Sequence, residues 1–201
     1  MTTLYTVDNV DPVLQFTDER LRQISTPLAE VEFDSAELAD KLRRMNESMI
    51  VYGGIGIAAP QIGLFERLVV INIPALERPG FGQVEATPLH ALINPEIVWF
   101  SDDRIKAGEG CLSVRGFEGY VVRPTRIGVV AYDEKGKRLE FEASSLYARA
   151  LQHEIDHLDG ILYTDRVAEL RDLRRVSPVD AADPVWNHNP KFGKAAAAVS
   201  L

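Results

Sequence analysis

The chain predicts an α+β fold, small mixed or antiparallel sheets packed around one central helix, on three observations. Apolar residues recur at helical spacing in only two or three segments. β-Branched runs and a well-formed hairpin turn occupy much of the remainder. No strand–helix–strand rhythm alternates along the chain, so a doubly wound parallel sheet is not expected.

Leu38, Leu42, Met45 and Met49 fall at intervals of four, three and four, a helix stripe over Ser35–Met49. Ser35 is placed to cap it after Asp34, and Gly53-Gly54 stops it. Leu68–Ile73 is a continuous apolar, β-branched run closed by Pro74, as a buried strand requires. Pro79–Gly82 reads as a turn, and Ala91–Phe100 as a strand interrupted by Asn94-Pro95. Glycines 108, 110, 116 and 119 mark backbone that turns sharply or lets something approach closely. Arg126–Tyr132 and Arg138–Glu142 pair as a hairpin across Asp133-Glu134-Lys135-Gly136. Ser144 or Ser145 caps the next helix, on which Leu146, Ala150, His153 and His157 share a face, and Gly160 ends it. Asp165–Val176 is expected to add a short helix. Residues 1–176 are then a single catalytic domain, and the Pro-, Asp- and Ala-rich residues 177–201 a loosely attached tail.

At 201 residues, with 46% hydrophobic and 26% charged residues, the chain is built like a soluble globular protein. A net charge of −8 argues against a general nucleic-acid binder, and no apolar run is long enough to span a bilayer. Met1–Asp11 has no basic leader, so a cytoplasmic location is expected, or an organellar one if a leader has been removed. The single cysteine, Cys111, forms no disulfide within the chain, which suits a reducing compartment.

The pattern His153-Glu154-Ile155-Asp156-His157 carries the chemistry. Spacing of i and i+4 puts both imidazoles on one helical face, within reach of one metal ion. Glu154 projects beside that ion, where a general base for an activated water is needed. A hydrolytic site of this kind usually has three protein ligands and one open position. Candidates for the third are Cys111, His90, His188 and the downstream Glu169. The extended form H-E-x-x-H-x-x-G-x-x-H fits at Gly160 but fails at Tyr163, which stands where a third histidine would be. His90 and His188 have no flanking feature that explains a ligand. A lone cysteine is ordinarily a small buried hydrophobe. Cys111, however, sits in a Gly-rich turn, where its thiolate suits Zn²⁺ or Fe²⁺ and the adjacent Leu112 N–H suits an oxyanion. In Gly54-Ile55-Gly56-Ile57-Ala58-Ala59-Pro60-Gln61, small residues allow close approach of other backbone, and Gln61 presents an uncharged amide.

Taken in order, G54-I-G-I-A-A-P-Q61, E109-G-C-L-S113 and Q152-H-E-I-D-H-L158 resemble the peptide deformylases over roughly Phe16–Val167. The resemblance implies that Cys111, His153 and His157 bind the metal, that Glu154 is the acid/base, and that Gln61 and the Leu112 N–H hold the oxyanion. It implies Fe²⁺ as the usual metal, with Zn²⁺, Ni²⁺ or Co²⁺ able to substitute. The implied substrates are N-formylmethionyl nascent peptides, which lose the formyl group as formate. Gly56 would offer backbone to such a peptide, and Ile55, Leu146 and Ala150 would line a pocket for its methionine. A monomer is expected, with no membrane and no specific nucleic-acid partner; Arg171, Arg174 and Arg175 read either as a transient ribosome contact or, at least equally, as a solvated helix face. A metallopeptidase using a downstream carboxylate, or a structural metal site, is the alternative. One departure stands out: family members commonly read E-G-C-L-S-[VI]-P, and here Arg115 replaces the proline. Glu109 is positioned to pair with Arg123, either as a brace for the Cys111 loop or as a solvated pair. Gln152 reads equally as an ordinary helix residue.

Overall fold

A computed structural model describes residues 9–176 of the chain. The predicted tail 177–201, with His188, lies outside the described residues.

The first helix, α1 (Ala36–Val51), begins where Ser35 Oγ accepts the Leu38 N–H at 3.0 Å. Leu38, Met45 and Met49 are buried beneath it, as the stripe predicts. The chain then passes Gly53, whose positive φ of 70° breaks the helix, into β1 (Gly56–Ala58). β1 forms one edge of a five-stranded antiparallel sheet with β2 (Leu68–Ile73), β5 (Thr87–Phe100), β8 (Arg126–Tyr132) and β9 (Arg138–Ser144), in the order β1-β2-β5-β8-β9. The β8–β9 turn is held by Asp133 Oδ1, which accepts the N–H groups of Lys135 and Lys137, and by Gly136 at φ 79°. Asn94-Pro95 does not interrupt β5. The register shifts there instead, with Asn94 at φ 50° and its amide bonded to both backbone groups of Leu28.

The turn expected at Pro79–Gly82 joins a small hairpin, β3 (Leu76–Arg78) and β4 (Gly82–Val84). A third antiparallel sheet holds β6 (Arg104–Gly110), β7 (Phe117–Pro124) and β10 (Leu173–Arg175), in the order β10-β7-β6. Glycines 108 and 110 therefore lie in a strand, and the sharp turn begins at Cys111.

The second helix, α2 (Ser145–Leu158), carries the H-E-x-x-H pattern and contacts strands of both larger sheets. Every residue from Ala148 to Leu158 is buried, so the helix is enclosed rather than amphipathic. Leu146, Ala148, Ala150, Leu151 and Leu158 join Val69, Ile71, Ile127 and Val129 in the largest apolar cluster. Gly160, at φ 72°, reverses the chain after α2, and Ile161 N–H closes back on Asp156 O at 2.8 Å.

The helix expected over Asp165–Val176 is not formed. Those residues make two 3₁₀ turns and then β10, which pairs with Phe117–Gly119. A helix there would leave Leu170, 88% exposed, with nothing to pack against, and the edge of β7 supplies backbone hydrogen bonds instead.

Candidate metal centre

Three chain segments meet at the ligand-bearing face of α2. Cys111 comes from the β6–β7 turn, His153 and His157 from α2, and Gln61 from the 3₁₀ turn Ala59–Ile62 after β1. The donor atoms of Cys111, His153 and His157 all lie within 4.8 Å of one another, and all three residues are buried. Cys111 Sγ is 3.2 Å from His157 Nε2, and the two imidazole rings meet edge-on at 5.1 Å. Of the other candidates among the described residues, neither His90 nor Glu169 joins this group. His90 bonds Pro88 O and the Tyr147 hydroxyl, and Glu169 is a surface residue paired with Arg171.

The donor set suits a soft or borderline divalent cation. His153 Nδ1 lies 2.9 Å from Glu109 Oε2. A carboxylate only accepts, so Nδ1 carries the proton and Nε2 offers its lone pair toward Cys111 and His157. Burial opposes a charge on His153, yet its bonds to Cys111 and Glu109 outweigh burial and raise its proton affinity well above the ordinary value. A site that pulls a proton onto a ligand is one that calls for positive charge. His157 is the reverse case: burial and the neighbouring cations hold it well below the usual range, so it stays neutral, as a ligand must.

Glu109 anchors the far side of this arrangement. Burial pushes its carboxyl up, but the bonds from His153 and Arg123 and the Arg123 charge hold it far below the usual carboxylate range. Arg123 reaches Glu109 at 2.6 and 3.0 Å and Asp156 at 2.8 Å. Arg149 reaches Glu109 at 2.5 Å and also bonds backbone carbonyls of Ile105 and Val121. Asp156 in turn accepts from Arg166. The Glu109–Arg123 contact is thus a buried brace and not a solvated pair. Gln152 is buried too, and its amide donates to Pro124 O at 3.1 Å, tying α2 to the end of β7.

Glu154 sits on the opposite flank. It is enclosed, its Oε2 has no hydrogen-bond partner among the described residues, and burial raises its pKa to about 7. Room for it comes from Gly56, where a Cβ would lie 2.6 Å from Glu154 Oε1. Gln61 Oε1 accepts the Ala58 N–H at 2.9 Å, which turns its N–H₂ toward Ser113 Oγ at 3.1 Å and Cys111 Sγ at 3.6 Å. The Leu112 carbonyl accepts from Gln15 Nε2, whereas its N–H donates to no described residue. Residues 14–16 lace these loops together, with Leu14 N–H on Gln61 O and Phe16 N–H on Ser113 O. Ile55, Leu146 and Ala150 share one apolar cluster with the sheet, Ile55 as its half-buried member.

Four residues of this centre were not among the sequence candidates. Arg149, Asp156 and Arg166 extend the Glu109 brace, and Tyr163 stacks on the His153 ring. Asp156, inside the motif, is the one with a sequence signal.

Comparison with known proteins supplies the family. The family profile of polypeptide deformylase matches residues 10–172. A peptide deformylase of Methylocella silvestris is 37% identical over 180 residues, 90% of this chain and 88% of its own. One of Roseiflexus castenholzii is 43% identical over 79% of this chain and 88% of its own. Among solved structures, the Met-Ala-Ser-bound class I type b peptide deformylase of Acinetobacter baumannii superposes with a TM-score of 0.73 at 31% identity, covering 83% of this chain and all of that one. A profile spanning most of the chain, and relatives matched along nearly their whole length, leave one assignment: this chain belongs to the polypeptide deformylase family.

Proposed function

We propose that Cys111, His153 and His157 hold a ferrous ion and that Glu154, Gln61 and the Leu112 amide use that centre to hydrolyse the N-formyl group of nascent N-formylmethionyl polypeptides. Formate is the product, and the chain is a metal-dependent amide hydrolase. The observation that carries the residue assignment is the convergence of one thiol and two imidazoles within 4.8 Å, all buried and with His153 oriented by Glu109. Thiolate with imidazole is a donor set for Fe²⁺, and Zn²⁺, Ni²⁺ or Co²⁺ would occupy it as well. When bound, the ion supplies Lewis acidity toward water and the formyl carbonyl.

The protein's own groups do the rest. Glu154 takes a proton from the attacking water at its carboxylate and delivers it to the departing amine nitrogen as the C–N bond breaks. Enclosure keeps its pKa near neutrality, where it can do both. Gln61 Nε2, aimed by the bond between Ala58 N–H and Gln61 Oε1, and the uncommitted Leu112 N–H hold the oxyanion. Losing one such donor costs about 10²–10³ in rate. β1 is an edge strand, so Gly56 and its neighbours offer backbone groups to an extended peptide. Ile55, Leu146 and Ala150 supply the apolar wall for the methionine side chain. A relative of this chain was solved with Met-Ala-Ser bound, which is consistent with a peptide in that place.

The chain works as a monomer with no membrane partner; among the described residues no helix is long and apolar enough to cross a bilayer. Its place is the cytoplasm, near the ribosome. Exposed Arg171, Arg174 and Arg175 are the groups for a transient ribosome contact.

The test is anaerobic purification, measurement of bound metal, and assay of formate release from formyl-Met-Ala. One iron per chain with formate release is expected, and an iron-loaded chain that releases none refutes the reading. Cys111→Ala should lose the metal, whereas a site using Glu169 would keep it. Glu154→Gln should keep the metal and lose turnover, and unchanged function would point to a structural site.

A further inference from the structure

The chain reversal after α2 brings Tyr163 back over the helix it has just left. The Tyr163 ring lies parallel to the His153 imidazole, with centroids 5.9 Å apart and planes at 22°. It is 1% exposed and shares an apolar cluster with Cys111, Val114, Val121 and Leu162. Gly119 of β7 makes its seat: a Cβ there would lie 2.8 Å from Tyr163 Cε2 and 2.8 Å from Val167 Cγ2. The Tyr163 hydroxyl, by contrast, is buried with no hydrogen-bond partner among the described residues. The ring is engaged and the hydroxyl is not.

We infer that Tyr163 is a positioning residue for the metal centre, its ring fixing the plane of the His153 imidazole while Glu109 fixes the rotation of that plane about the Cβ–Cγ bond. A single hydrogen bond at Nδ1 leaves the imidazole free to tilt about the line joining Nδ1 to the carboxylate. A flat ring on one face removes that tilt, so the Nε2 lone pair points at one place. The turn at Gly160 is thus used as in the extended motif, to return the chain to the metal. What it returns is an aromatic face for the first histidine, and the third ligand is left to Cys111. Gly119 belongs to the same device, because any side chain there displaces the ring.

This inference rests on His153 being a metal ligand, and the experiment separates the two. The full chain is loaded with Co²⁺, its thiolate charge-transfer and d–d bands are recorded, and metal release into excess chelator is timed. A wild-type chain without those bands would refute the ligand set itself. With the bands present, Tyr163→Leu should shift the d–d bands and release cobalt about 10–100 times faster, the range expected when a group that orients a ligand is lost. Gly119→Ala, which leaves Tyr163 in the sequence, should do the same in milder form. Tyr163→Phe should release cobalt at the wild-type rate and melt at a higher temperature, having lost only an unpaired buried hydroxyl. Wild-type bands and release in Tyr163→Leu overturn the positioning role, and so does fast release in Tyr163→Phe. Should Tyr163→Leu fail to fold, Gly119→Ala and Tyr163→Phe still decide it: faster release in the first with wild-type release in the second supports the role, and any other pairing refutes it.

Discussion

Replacing Gly56 with alanine tests where Glu154 works. The added methyl would lie 2.6 Å from Glu154 Oε1 and 2.9 Å from Ile71 Cδ1, whereas ordinary contact begins near 3.4 Å. The carboxylate is the softer neighbour, at the end of a side chain, and must retreat by about 0.8 Å. Misplacing a reacting group by roughly 1 Å costs about 10²-fold in rate, equivalent to about 2.7 kcal/mol. Crowding against Ile71 adds a stability loss of about 1–3 kcal/mol. The expected outcome is a kcat for formate release about 10² lower, with metal content unchanged and the melting temperature a few degrees down. The same substitution made on Glu154→Gln should cost nothing further in rate, since the group it displaces is already disabled. A Gly56→Ala enzyme with full metal and wild-type kcat would refute the placement of the base. An equal loss on the Glu154→Gln background would show that the methyl acts on the substrate instead.

Other perturbations have equally definite outcomes. Glu109→Gln leaves Arg123 and Arg149 buried against a neutral amide. It should cost about 3–5 kcal/mol in urea denaturation and weaken metal binding about 10–100-fold in chelator competition. At Asp165, burial pushes the carboxyl up, but bonds from Arg22 and the Leu162 N–H outweigh it and hold its pKa below the ordinary value. A depressed carboxyl stabilises the fold above its unfolded pKa and loses that contribution as pH falls through its folded one. The stability gap between wild type and Asp165→Asn, about 0.5 kcal/mol for a pair this exposed, should therefore be present at pH 6 and close below about pH 4. Air should end formate release by the iron-loaded chain and spare the nickel-loaded one, because ferrous iron beside a thiolate is oxidisable. Loss at equal rates in both would argue against iron in the working site.

The parts of the molecule legible in the sequence are those whose physics is local. Ser35 ahead of the α1 stripe, the Asp133–Gly136 turn and the i, i+4 histidines each carry their own spacing, and each appears where expected. Cys111, Gln61 and Glu154 lie far apart in the chain, and their meeting was readable only as a resemblance of three motifs taken together. What spacing hides is burial. Glu109 and Arg123 gave no sign of whether water reached them, and both proved to be enclosed by α2 and by Arg149. β10 failed for a related reason. Its strand character comes from the open edge of β7, a partner some fifty residues away, which nothing in the local sequence announces.

Cys111 belongs to the turn of one sheet, and His157 to a helix whose main apolar partner is the other. An ion held between them closes a covalent-like ring across 46 residues of chain. Seen this way the centre is a removable crosslink. An ion that binds the folded chain and leaves the unfolded one stabilises it by mass action, about 2.7 kcal/mol when free metal stands at a hundred times its dissociation constant. Chelation should then do more than silence the enzyme. It should let the Cys111 turn and α2 part company, so that the melting temperature of the protein becomes a gauge of how much metal its surroundings supply.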